Sequence, residues 1–184
     1  SHSGQIWNHT VDILAKDMFD YISLYQPAYS IPPINFSSDL TLCGKINEAN
    51  ITADKSTIIN EYITKYYLKH CIAYTDGSFF PGKGSASAVC VPELSITHVE
   101  SISSFSSPII AELHAILSAV KILSKESISN IKYFTKCNNE IAIFSDSLWA
   151  IKAAQAINLK KFHGLISAIW DNLLSYPHLH FTLV

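Results

Sequence analysis

The spacing of apolar residues divides the chain into stretches with two different periods. Over residues 10–25, Val11, Leu14, Met18, Ile22 and Tyr25 recur at three- and four-residue steps, with Asp12, Lys16, Asp17 and Asp20 between them. That is the stripe of an amphipathic helix. Pro27 and the Pro32-Pro33 pair mark its end. Residues 26–53 carry only weak periodicity and read as an extended connector. A second helix is predicted from a cap at residues 54–56 to Lys69, with Ile58, Ile59, Tyr62, Ile63, Tyr66 and Tyr67 as its stripe.

From Cys71 the period shortens. Residues 71–76 form a predicted buried strand, ended by Gly77-Ser78. Gly82-Lys83-Gly84 is a turn, residues 85–91 alternate small and apolar side chains, and residues 96–104 read as a third strand. Short connections between the three predict an antiparallel meander. Pro108 opens a helix whose face is Ile109, Leu113, Ile116, Leu117, Val120 and Leu123. Residues 140–145 follow as a strand, and their near-continuous apolar run suits burial on both faces. Helices over residues 148–156 and 162–174 precede a fifth strand over 178–184. The order β-β-β-α-β-α-α-β defines an α/β fold: a five-stranded mixed sheet flanked by helices. It assigns residues 71–184 to one domain and residues 1–70 to an N-terminal helical extension.

Composition narrows the class. Hydrophobic residues make up 48% and charged residues 15%, enough for a sizeable core. No apolar stretch reaches the length of a membrane span, so no membrane partner is expected. The opening Ser1-His2-Ser3-Gly4 lacks the apolar core of a signal peptide. Cys43, Cys71, Cys90 and Cys137 are widely spaced, without the CxxC or Cys/His clustering of zinc sites. They read as reduced thiols of an intracellular protein, cytoplasmic or nuclear, and the sequons at Asn8, Asn35 and Asn50 then read as chance matches. Net charge is −2, and all thirteen cations are lysine. Lysine meets phosphate as a point charge without the bidentate fork of arginine. A nucleic-acid partner would therefore depend on how the lysines cluster.

Three acids carry the candidate chemistry. Singly, each has an ordinary reading. Asp76, before Gly77, suits a turn; Asp146, leading into a helix, suits a cap; Glu112, near a helix start, favours the macrodipole. Together they mean more. Asp76 and Asp146 each end an apolar strand. If those strands are parallel neighbours, the two carboxylates lie side by side, and the crossover helix brings Glu112 to the same edge. Three like charges gathered there need cations. Hard carboxylate oxygens with no His or Cys among them suit Mg²⁺, with Mn²⁺ as substitute. A pair of such ions holds a phosphodiester, activates water and stabilises the leaving oxygen.

Tyr74-Thr75-Asp76-Gly77-Ser78, then Ala111-Glu112-Leu113-His114-Ala115-Ile116, then Phe144-Ser145-Asp146-Ser147 resemble the successive motifs of type 1 ribonuclease H domains. The wording is most similar to the domains found in non-LTR retrotransposon polyproteins. The resemblance spans residues 71–184. It implies an endonuclease that hydrolyses the RNA strand of RNA–DNA hybrids, with Asp76, Glu112 and Asp146 as catalytic metal ligands. It also implies an upstream reverse transcriptase as partner, with residues 1–70 as the connector. Gly77 and Ser78 would then lie near the RNA strand, where 2′-hydroxyls distinguish RNA from DNA, with Ser147 beside them. The family adds a fourth acid on a helix after the last strand, behind a loop histidine. No position here matches it: His178 and His180 fall in the last predicted strand, and Asp171 precedes it. The departure implies a chain cut before that helix or a degenerate copy, with one face of the sheet left bare. The alternative function is therefore an inactive nucleic-acid-binding or scaffold domain of the same fold.

Other conspicuous residues have plain expectations. His114, two positions after Glu112, points to a different face. Trp149 and Trp170 sit on apolar helical faces and are expected in the core. Tyr62, Tyr66 and Tyr67 read as a packing stripe, and Lys160-Lys161 as a solvated pair.

Overall fold

The computed structural model of the chain describes residues 33–48, 55–102, 107–155 and 162–184. The helix expected over residues 10–25, the Lys160-Lys161 pair and the Asn8 and Asn50 sequons lie outside them. The strands are β1 (Phe36–Ser38), β2 (Cys71–Phe80), β3 (Gly84–Val91), β4 (Ile96–Ile102), β5 (Glu140–Ser145) and β6 (His180–Leu183). The helices are α1 (Thr41–Glu48), α2 (Lys55–Tyr66), α3 (Pro108–Ser129), α4 (Ile131–Lys136), α5 (Leu148–Gln155) and α6 (His163–Ser175). No helix among the described residues is long and apolar enough to cross a membrane.

The sheet order is β1-β6-β5-β2-β3-β4. The β2-β3-β4 meander is antiparallel, and β2, β5, β6 and β1 run parallel. The mixed sheet is as expected, but it has six strands where five were predicted. The extra strand, β1, lies in the stretch read as an extended connector. Three residues are too few to show a period of two, and their pairing with β6 is a tertiary contact that local pattern does not encode. Asn35, just before it, is buried, and its amide donates to the carbonyls of Leu173, Tyr176 and Leu179. That side chain is therefore committed to the fold.

The strand expected to stop at Gly77-Ser78 continues to Phe80, with Gly77 opposite Ser87 and Ser78 opposite Ala86. The reversal comes later, where Gly82 and Gly84 take positive φ angles of 75° and 119°, a region glycine enters without penalty. Helix α4 was also unpredicted.

Alternation along the strands feeds two cores. Ile141 and Ile143 of β5 join Ala73, Val89, Phe181 and Leu183 beneath α3 and α6. Ala142 and Phe144 face the other way, joining Ile72, Val184, Leu42, Tyr62 and Tyr67. The apolar run of β5 thus reflects burial on both faces, as expected. The second cluster corrects the expectation of a bare face, because side chains of α1 and α2 cover it. Tyr62 and Tyr67 are buried in it and Ile58, Ile59 and Ile63 pack against it, whereas Tyr66 of the same stripe is half exposed.

That cover is anchored by one acid. Asp39 Oδ2 accepts 2.6 Å hydrogen bonds from both the Tyr62 and Tyr67 hydroxyls, and Oδ1 accepts from the Thr41 amide at 3.0 Å. Burial pushes the Asp39 carboxyl up, but these bonds outweigh it and bring its pKa down to about 2. On the other face, Ala111, Ala115 and Ala119 are wholly buried along one ridge of α3. Their small side chains let the helix lie close on the sheet.

Candidate metal centre

Strands β2 and β5 are parallel neighbours, with Thr75 opposite Ser145. The next residue on each is therefore an aspartate at the same strand end. The Thr75 hydroxyl donates to Phe144 O at 3.1 Å, tying the two strands just below the acids. Both ordinary readings of these aspartates fail. Asp76 sits within a continuous strand opposite Ala88, so Asp76-Gly77 is no turn. At the start of α5 the capping acceptor is Ser147 Oγ, which takes the Ala150 amide at 3.3 Å. Ser145 Oγ accepts from the Ser147 amide at 3.2 Å.

Glu112 arrives from the second turn of α3, past the end of the helix where the dipole acts most strongly. What brings it in is Gly77. A Cβ at that position would stand 2.7 Å from Glu112 Cα and closer still to the Glu112 and Ala111 backbone. Only glycine permits the approach. The missing side chain of Gly77 lets α3 dock.

Carboxylate oxygens of Asp76, Glu112 and Asp146 all lie within 4.8 Å of one another. The aspartates are exposed and Glu112 is 9% exposed. Burial first, then the Asp146 and Asp76 charges, raise the Glu112 pKa to about 7, against a lowering by the Gly77 amide. Glu112 Oε2 is buried and has no hydrogen-bond partner. Such an atom is costly to leave unmatched. A divalent cation supplies what it lacks, so the residues present fit a hard ion.

Ser78 is exposed two residues beyond Asp76, on the same strand. Sequence reasoning misplaced Trp149, which is 75% exposed with Lys152 Nζ 5.9 Å from its ring centre. Helix α5 buries Ala150, Ile151, Ala153 and Ala154, which leaves Trp149 outside that stripe. A repeat of apolar residues did not reveal which one was surplus. Trp170 is buried as expected, its indole donating to Ala154 O at 2.8 Å. His180 opens β6, and His178 precedes the strand.

The antiparallel β2-β3-β4 meander is joined through β2 to parallel β5 and β6, with helices on both faces. No family model and no curated protein matches the sequence. Among solved structures, the chain is similar to LC11-RNase H1, a ribonuclease H1 isolated from compost by a metagenomic approach. Identity is 19%, the match covers 63% of this chain and 84% of that one, and the TM-score is 0.47.

Proposed function

We propose that this chain hydrolyses the RNA strand of RNA–DNA hybrids, with divalent cations held by Asp76, Glu112 and Asp146. The observation that carries the reading is the convergence of the three carboxylates around a buried, partnerless Glu112 oxygen. Mg²⁺, or Mn²⁺ in its place, would neutralise the cluster, orient a phosphodiester and lower the pKa of attacking water. Asp76 and Asp146 hold their positions through the strand pairing, and Glu112 through the α3 contact with Gly77. Ser78 and Ser147, close to Asp76 and Asp146 along the chain, would meet substrate. Trp149 with Lys152 offers a ring for stacking and a charge for phosphate beside Asp146. The motif wording supports a retroelement polyprotein as setting, with residues 1–70 linking an upstream reverse transcriptase.

The test is cleavage of an end-labelled hybrid in Mg²⁺ and in Mn²⁺, beside Asp146→Asn and with duplex DNA and duplex RNA as controls. The reading predicts cation-dependent cutting of the hybrid alone, absent in the variant. A wild-type protein that retards the hybrid on a gel but leaves it uncut in both ions is a binding scaffold instead. Trp149→Ala is expected to weaken hybrid binding several-fold, within the range of one stacked base.

A further inference from the structure

Strand β4 ends the sheet: among the described residues it pairs with β3, and its other side carries no strand. A strand so placed presents a row of backbone N–H and C=O groups as a template for another. Edges are ordinarily protected by shortness, proline, lysine or a bulge. The opposite edge, β1, has three residues. Strand β4 has seven, with neither lysine nor proline, and its register with β3 runs unbroken from Ile96 to Ile102. Helix α3 packs on β2 and β3. Residues 97–101 of β4 stay exposed, and Val99 at their centre is 67% exposed.

The residues of this edge complement themselves. Reversed about Val99, Ile96 meets Ile102, Thr97 meets Ser101 and His98 meets Glu100. An antiparallel copy in that register sets apolar against apolar, hydroxyl against hydroxyl and imidazole against carboxylate, the pairings that stabilise adjacent strands. Other registers lose this. Sliding by one residue sets Val99 against His98 or Glu100, and sliding by two sets His98 against His98 or Glu100 against Glu100. His98 and Glu100 share the face of β4 that looks toward α3, since their neighbours on β3, Val89 and Ser87, are buried there. Glu100 Oε2 accepts from Ser118 Oγ at 3.3 Å and stands 4.0 Å from His98 Nε2. The one carboxylate on the edge is thus held beside an imidazole in its own chain and offered to another. We propose that β4 pairs with β4 of a second copy of this chain, in this register, across a two-fold axis at Val99. The two sheets then form one continuous sheet, and the contact is isologous and closed. It is one strand wide, below the ~1,200 Å² of a standard interface, so the dimer exchanges with monomer at micromolar concentration. None of these residues belongs to the carboxylate cluster, and the inference does not depend on the nuclease reading.

The experiment is sedimentation velocity of the full chain from submicromolar to submillimolar concentration. A reversible monomer–dimer equilibrium is expected. Val99→Lys sets two lysines against each other at the axis, and His98→Glu sets two pairs of carboxylates in opposition. Each should weaken the dimer roughly tenfold, with circular dichroism and the melting temperature of the dilute protein unchanged. Exchanging the pair, His98→Glu with Glu100→His, should restore wild-type association. A variant carrying His98→Lys and Glu100→Lys should be monomeric alone and should form a mixed dimer with His98→Glu. A monomer at every concentration, or an open-ended polymer, would overturn the proposal. So would a dimer that Val99→Lys and His98→Glu leave unchanged, or oppositely charged variants that fail to combine on mixing.

Discussion

Asp39 and Glu112 are both carboxylates partly withdrawn from solvent, and the fold treats them oppositely. Asp39 receives hydrogen bonds from three residues, Tyr62, Tyr67 and Thr41, and its pKa falls to about 2. Glu112 faces two further acids, keeps one oxygen without a partner, and its pKa rises to about 7. Burial raises both; the difference lies in what surrounds each carboxylate. An acid supplied with donors strengthens the structure as it stands. An acid gathered with like charges and left short of a partner weakens the structure until a cation arrives. The contrast separates a carboxylate that holds the N-terminal helices on the sheet from one left without the donors its burial calls for.

The comparison breaks most visibly through activity. Asp76→Asn and Asp146→Asn should each lower hybrid cleavage by at least ~10²–10³-fold, the scale of losing one preorganised electrostatic group, while the melting temperature holds or rises. A steep fall in melting temperature would mean that the acids are structural after all. Gly77→Ala should cost about 3 kcal/mol or more in denaturant unfolding, since the added methyl meets the α3 backbone, which cannot rotate aside. Little change there would mean that α3 does not depend on this approach to deliver Glu112.

Smaller effects sharpen the contrast through opposite signs. Asp39→Asn should destabilise by about 1–2 kcal/mol, after allowance for solvent screening, and leave the cleavage rate intact. The depressed Asp39 pKa gives stability that is complete above pH ~4 and lost as pH falls toward about 2. Glu112→Gln should instead stabilise the cation-free protein at pH 8 by about 1–2 kcal/mol, because it removes an ionised, partly buried carboxylate. The raised Glu112 pKa makes its contribution most favourable below pH ~4 and least favourable above about 7. Urea titrations at pH 5 and pH 8, with wild type alongside, check both signs. Cations compete with protons at Glu112, so Mg²⁺ stabilisation should fade as pH drops below about 7.

The sequence revealed one of these two carboxylates and hid the other. The acid trio was legible because strand ends and a crossover helix fix where Asp76, Asp146 and Glu112 must go, given parallel pairing of β2 with β5. The run of apolar residues over β5 signalled the two-sided burial that such pairing requires. Asp39 was illegible because its partners Tyr62 and Tyr67 lie 23 and 28 residues away, across two helices and their connection. Strand β1 was illegible for a similar reason: among the described residues its ladder is with β6, far along the chain. Gly77 carried a visible signal, an interruption in an apolar strand, but the sequence suggested a turn where the structure uses the missing side chain for close packing. Trp149 shows the converse limit, since a short helix presents more apolar residues than its buried stripe accommodates.

Glu112 and its two aspartates form a cluster that a divalent cation would complete. Mn²⁺ binding followed by electron paramagnetic resonance at pH 8 tests it most directly, in wild type, Asp146→Asn and Glu112→Gln, with Asp39→Asn as the control. Saturable binding is expected in wild type and Asp39→Asn, and its loss in the other two. Undiminished binding in Asp146→Asn and Glu112→Gln would contradict it.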